Sequence, residues 1–173
     1  MVEKFIKDKD KNKINLTKTF TLSTYNVRTL LQAGKFHELC SGCSKYNLDF
    51  IAVQEHRWST STSIESGYDK MYSVDNKYVF IYTSAIKGQG GIGLLINKKY
   101  ELAIKNISKI SDRILTVNFY SNPTLTITVV YAPTETSEEK DKNLFKKMIL
   151  WKTIFLRYQY IICFSLLETS TPG

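Results

Sequence analysis

The sequence predicts an α+β layered sandwich whose strands pair mostly antiparallel. Three observations carry that expectation. Short apolar or alternating runs recur from Thr19 to Leu167, and only two helical patterns interrupt them. One run, Phe50-Ile51-Ala52-Val53, is unbroken and bounded by polar residues. Such a run reads as a strand buried on both faces, and therefore as the middle of a sheet.

The elements follow in order. Residues 1–18 form a basic arm with six lysines against three acids. Thr19 to Asn26 alternates as a strand, with Phe20 and Leu22 on one face and threonines on the other. Gly34 breaks the next loop, and Lys35 to Tyr46 has helical spacing. Phe36, Leu39, Cys40, Cys43 and Tyr46 (or Asn47) share its apolar stripe. The formal C-x-x-C of Cys40 and Cys43 therefore reads as buried packing, since no second ligand pair for zinc and no redox context accompany it.

Glu55 is the first acid after the central run, followed by His56, Arg57 and Trp58. A carboxylate at the tip of a central strand is a rigid hard-oxygen ligand suited to Mg²⁺ or Mn²⁺. The plainer alternative is a solvated strand-end glutamate. Ser59 to Ser66 reads as a polar loop, Tyr78 to Tyr82 and Ile92 to Ile96 as strands. Gly88-Gln89-Gly90-Gly91-Ile92-Gly93 spells G-x-G-x-x-G, but a strand and not a helix follows it. With no helix N-terminus to hold a pyrophosphate, the glycines serve a tight turn.

Ile114 to Tyr120 and Leu125 to Tyr131 form a hairpin across Ser121-Asn122-Pro123-Thr124. Thr136-Ser137-Glu138-Glu139 matches a capping box. Leu144, Met148, Trp151 and Phe155 give the following helix a buried stripe. Tyr158 to Leu167 reads as the last strand.

At 173 residues, 43% apolar and 13% aromatic, the chain has about one domain's worth of core-forming sequence. No apolar run is long enough to span a membrane, and charges break the first residues, so neither a transmembrane segment nor a signal peptide is expected. The expected setting is intracellular, nucleus or cytoplasm. The net charge of +8 allows a nucleic-acid partner without forming a basic stripe that would identify one.

Five segments then occur in a telling order: Tyr25-Asn26-Val27-Arg28-Thr29-Leu30, Gln54-Glu55-His56-Arg57, Gly90-Gly91-Ile92-Gly93-Leu94, Ser111-Asp112-Arg113-Ile114, and Val130-Tyr131-Ala132-Pro133-Thr134. Together they resemble the endonuclease/exonuclease/phosphatase superfamily. The wording is most similar to the apurinic/apyrimidinic-type endonuclease domain of RTE-type LINE retrotransposons and to craniofacial development protein 2-like proteins. The likeness runs from about Thr19 to Met148. It implies a truncated version of the family's four-layer sandwich, occupying residues 19–162.

The resemblance also implies roles. Asn26 and Glu55 would hold a catalytic Mg²⁺ (or Mn²⁺), Tyr131 would contact the scissile phosphate, and Arg113 would donate to the phosphate oxygens. DNA would be the partner, and target nicking the reaction. On their own, without the resemblance, Asn26 reads rather as an Asx turn and Tyr131 as strand packing.

The family's later Gly-Asp-Phe-Asn motif, a further Asp and an Asp-His pair do not occur in this sequence. Where the first belongs, the chain reads Leu166-Leu167-Glu168-Thr169-Ser170-Thr171-Pro172-Gly173. Codons GAG-ACT-TCA-ACG-CCA-GGA for the last six residues, read one base earlier after a G, spell Gly-Asp-Phe-Asn-Ala-Arg. Residues 163–173 are therefore expected to be an out-of-frame tail, which sequencing of the locus tests.

The resulting expectation is an inactive endonuclease fragment, prone to self-association through an uncovered sheet face and strand edge. Two alternatives remain at this level: a non-catalytic module that binds nucleic acid or protein, and a phosphatase on the same fold.

Overall fold

The computed structural model describes residues 13–16, 18–59, 67–133, 137–154 and 160–165. Its elements are β1 (Leu22–Asn26), α1 (Lys35–Lys45), β2 (Phe50–Gln54), β3 (Tyr68–Tyr72), β4 (Tyr78–Thr83), β5 (Ile92–Asn97) and a 3-10 helix (Lys98–Ala103). They continue through β6 (Ile104–Ser111), β7 (Ile114–Phe119), β8 (Leu125–Tyr131), α2 (Glu139–Ile154) and β9 (Tyr160–Ser165).

The strands form two sheets, ordered β1-β2-β5-β4-β3 and β6-β7-β8-β9. The β1–β2 and β8–β9 pairs are parallel, and the others are antiparallel. This is the α+β sandwich, mostly antiparallel, that the run pattern predicts. Each parallel pair needs a crossover connection, and each contains a helix between its strands.

The two faces of β2 explain its unbroken apolar sequence. Phe50 and Ala52 point into the cluster between the sheets, with Ile81, Leu94, Val117, Ile127 and Val129. Ile51 and Val53 point the other way, into a second cluster with Phe80, Leu95 and the α1 residues Cys40 and Cys43. Phe50 stacks on Tyr100 at 4.8 Å and meets Phe119 edge-on at 5.4 Å. Each such buried side chain contributes about 1.5–3 kcal/mol through area removed from water.

Both cysteines are free and buried, as the helical stripe predicts. Burial pushes the Cys40 thiol up to about 12 and the Cys43 thiol up to about 11, so neither is a thiolate at neutral pH.

Several expectations need correction. Tyr46 does not join the α1 stripe: the helix stops at Lys45, and Tyr46 is its exposed C-cap. Leu144 is exposed too, on the face of α2 that it shares with Lys140 and Lys147. The basic arm is not wholly solvated at its inner end. Ile14 is buried in the inter-sheet cluster, and its N–H donates to the Tyr120 carbonyl at 2.8 Å.

The sequence pattern does not predict the strands β3 and β6. Both lie at sheet edges with mostly exposed or half-buried residues, and register shifts in β6 break its alternation. The capping-box Thr136 and the tail beyond Ser165 lie outside the described residues.

The hairpin through Pro123 and the glycine turn are both present. Ile86 and Gln89 bridge the glycine turn, while Gly88, Gly90 and Gly91 take positive φ. Among the described residues, β1 and β9 each end their sheet, and they lie against each other on one flank of the sandwich. No helix among these residues is long and apolar enough to cross a membrane.

Candidate active site where the two sheets meet

Strand alternation fixes which side chains can meet. On β1, Leu22 packs into the inter-sheet cluster, so Asn26, four residues on, shares that face. On β8, Leu125, Ile127 and Val129 face inward, and Tyr131 continues the series from the opposite sheet. On β2 the same rule would send Glu55 outward with Ile51 and Val53. It does not go there, because Glu55 adopts a left-handed conformation with φ 58°. The reversal turns its carboxylate toward the inter-sheet side.

There it meets both partners. Asn26 Nδ2 donates to Glu55 Oε1 at 2.7 Å, and the Tyr131 hydroxyl donates to the same oxygen at 3.1 Å. The Asn26 Oδ1 in turn accepts the Arg28 N–H at 2.9 Å. Below the pair, Gln54 is fully buried and exchanges hydrogen bonds with Thr24 at 3.0 and 3.3 Å.

The loops around the site are stitched backbone to backbone. Val27 N–H donates to Gln54, Leu30 to His56, Arg57 to Gly90 and Ala85 to Trp58, at 2.8–3.0 Å. Arg28 and Arg57 are also left-handed, with φ 58° and 64°. Left-handed conformations at non-glycine residues cost about 1–2 kcal/mol each, and they concentrate where a fold over-determines a functional geometry.

Behind the site, His56 is fully buried against Trp58, Phe80 and Tyr82. Its Nδ1 accepts the Trp58 N–H at 3.0 Å, and desolvation drops its pKa to about 4, so it is neutral. The imidazole lies so close to Gly91 that a Cβ there would sit 2.6 Å from the ring. Gly91 is therefore a seat for His56 as well as a turn residue.

Of the residues implied by resemblance, Asn26, Glu55 and Tyr131 are brought together. Arg113 lies beside them: its guanidinium stacks 5.1 Å from the Tyr131 ring and reaches the Ala132 carbonyl at 3.4 Å. Burial first, then the Glu55 charge, raises the Tyr131 phenol pKa, so it stays a protonated donor. Arg57 has no role that sequence alone assigns. Its Nη2 lies 3.8 Å from Glu55 Oε2, the oxygen that Asn26 and Tyr131 leave open. An arginine two residues past a strand-end acid was the available signal.

An open cavity of about 470 Å³ adjoins Tyr131, lined also by Lys87, Gln89, Gly90, Asp112 and Arg113. A larger apolar groove of about 650 Å³ lies elsewhere, between β1 and α1.

The donor set can be tested against a cation. Among the described residues no group of three or more His, Cys, Asp or Glu could hold a metal. A closed zinc site is therefore not formed by them. One carboxylate with an amide beside it fits Mg²⁺, which keeps most of its waters and shares substrate phosphate oxygens.

The likeness to solved structures agrees with this architecture. The AP endonuclease LMAP from Leishmania major superposes with a TM-score of 0.54, at 12% identity, covering 91% of this chain and 57% of that one. An AP endonuclease from Archaeoglobus fulgidus gives 0.52 at 16% identity, covering 84% and 56%. The Xenopus laevis APE2 catalytic domain gives 0.50 at 13%, covering 87% and 59%.

Fold and sequence together support a relationship of the endonuclease/exonuclease/phosphatase type. No family model matches it. At the sequence level it is similar to craniofacial development protein 2 of Bos taurus, 27% identical over 138 residues, and to that of Tragulus javanicus, 26% identical over 138. Those matches cover 79% of this chain and 22% of each relative, so the chain spans about a fifth of the curated relatives' length.

Proposed function

We propose that this chain is part of a divalent-cation-dependent DNA endonuclease of the retrotransposon type, hydrolysing phosphodiesters. The observation that carries the reading is the shared oxygen of Glu55, reached at 2.7 Å from one sheet and 3.1 Å from the other. Glu55, with Asn26 beside it, would hold Mg²⁺ or Mn²⁺. When bound, such a cation supplies positive charge opposite the charge that develops on the phosphoryl and leaving oxygens.

The chain's own groups do the rest. Asn26 fixes the carboxylate's orientation through its Nδ2, and its carbonyl oxygen, which accepts the Arg28 N–H on one lone pair, would offer the other to the cation. Tyr131, held protonated, would turn its one hydroxyl proton from Glu55 Oε1 to a non-bridging phosphate oxygen when the substrate is present. Arg113, braced on the Tyr131 ring and on Ala132, places a fixed positive charge beside that oxygen. The +8 charge favours a polyanionic substrate such as DNA. In the family that this chain resembles, activation of the attacking water belongs to a Gly-Asp-Phe-Asn motif, which these 173 residues do not contain. We therefore expect binding with little or no turnover.

Nicking of supercoiled plasmid in Mg²⁺, with EDTA and Glu55→Gln controls, tests the reading alongside calorimetric Mn²⁺ binding. The expected result is Mn²⁺ binding that Glu55→Gln removes, with nicking near background. Undiminished Mn²⁺ binding by Glu55→Gln would refute it. The flank carrying β1 and β9 supports a further expectation of self-association, checked by light scattering behind size-exclusion chromatography.

A further inference from the structure

Two arginines flank the Glu55–Tyr131 pair, and they are held differently. Arg113 is clamped: it stacks on the Tyr131 ring and donates to the Ala132 carbonyl. Arg57 is fixed only at its backbone, by its N–H on the Gly90 carbonyl and its left-handed φ of 64°. Its side chain is 43% exposed and stands 3.8 Å from Glu55 Oε2. That is well beyond the roughly 2.7–2.9 Å of a charge-assisted hydrogen bond. Oε2 has no nearer partner among the described residues, whereas Oε1 has two. The Gly90 to which Arg57 is tied also lines the cavity beside Tyr131.

We infer that Arg57 is a positioning residue that covers the Oε2 edge of Glu55 in the cation-free protein and turns to the substrate phosphate when a divalent cation takes that edge. The inference rests on the reading of Glu55 as the cation ligand. A guanidinium and a dication compete for one carboxylate edge, since each repels the other at that range. The weaker and more exposed contact yields. The anchored backbone then leaves the long side chain able to swing from the carboxylate into the adjoining cavity, while Arg113 stays where it is. Arg57 in this way tempers cation affinity before DNA arrives and adds a phosphate contact afterwards.

The test is Mn²⁺ binding by the full chain, measured by calorimetry or electron paramagnetic resonance, with Arg57→Gln, Arg57→Lys and Glu55→Gln. Arg57→Gln should bind Mn²⁺ about twofold to fivefold more tightly without DNA, the range expected for losing a half-exposed ion pair. In Mn²⁺ it should bind a short duplex less tightly, with the slope of log affinity against log salt reduced by about one. Arg57→Lys should restore both properties toward the parent.

Arg57→Gly, which accepts the left-handed backbone, serves if the glutamine variant folds poorly. Mn²⁺ binding that Glu55→Gln abolishes but Arg57→Gln leaves unchanged or weakens overturns this inference alone. Mn²⁺ binding that Glu55→Gln leaves intact overturns the cation site as well.

Discussion

Two carboxylates close the two ends of β2, and they are used in opposite ways. At the start, Asp49 is buried and its oxygens are committed. Oδ2 accepts the Thr21 N–H at 3.0 Å, and Oδ1 pairs with Lys99 at 2.5 Å. Its own N–H donates to Thr21 Oγ1 at 2.7 Å, which locks β1 in register with β2. At the finish, Glu55 sits in a left-handed conformation among two other strained residues, with one oxygen doubly held and the other only loosely faced by Arg57. The first carboxylate spends its bonding capacity on the fold. The second keeps some in reserve and is supported by a neutral buried imidazole and a glycine with no room for a Cβ.

The comparison can be broken first at that support. Gly91→Ala should destabilise most, by roughly 3.5 kcal/mol, from about 1–2 for a Cβ at φ +85° and about 1–3 for overpacking against His56. Urea unfolding measures it, and a loss under about 1 kcal/mol would show that His56 is not rigidly seated.

Next comes pH. Because burial holds the folded His56 near 4, below its ordinary 6.5, the unfolded chain takes up a proton first. Its contribution is whole above pH 6.5 and is lost as pH falls from 6.5 to 4, by about 3 kcal/mol. His56→Gln should flatten that part of the stability curve.

At the fold-building end, Asp49→Asn should cost about 2 kcal/mol by weakening the Thr21 hydrogen bond to a buried carboxylate and its ion pair with the half-exposed Lys99, with cation binding unchanged. At the other end, Glu55→Gln should move stability by less than about 1 kcal/mol while abolishing cation binding. The contrast fails if the two variants lose stability equally.

Much of this was readable beforehand. The apolar run of β2 announced a central strand, and the helical spacing of Phe36, Leu39, Cys40 and Cys43 announced the packing of α1. Five short motifs in order pointed to Asn26, Glu55, Tyr131 and Arg113. What escaped had physical reasons. The edge strands β3 and β6 bury little, so their sequences carry weak patterns, and bulges scramble the period of β6. The left-handed backbone at Arg28, Glu55 and Arg57 leaves no trace in residue type, since none of them is glycine. Without that reversal, strand alternation would place Glu55 on the wrong face.

The Glu55 oxygen is gripped from two independent sheets, and that has a thermodynamic consequence. A ligand recognising this pair recognises only the docked sandwich, so occupancy and assembly are linked equilibria. Ligand at a hundred times its dissociation constant would hold the layers together by about 2.7 kcal/mol. A variant with loosened layers would then lose affinity without any change at Glu55, Asn26 or Tyr131.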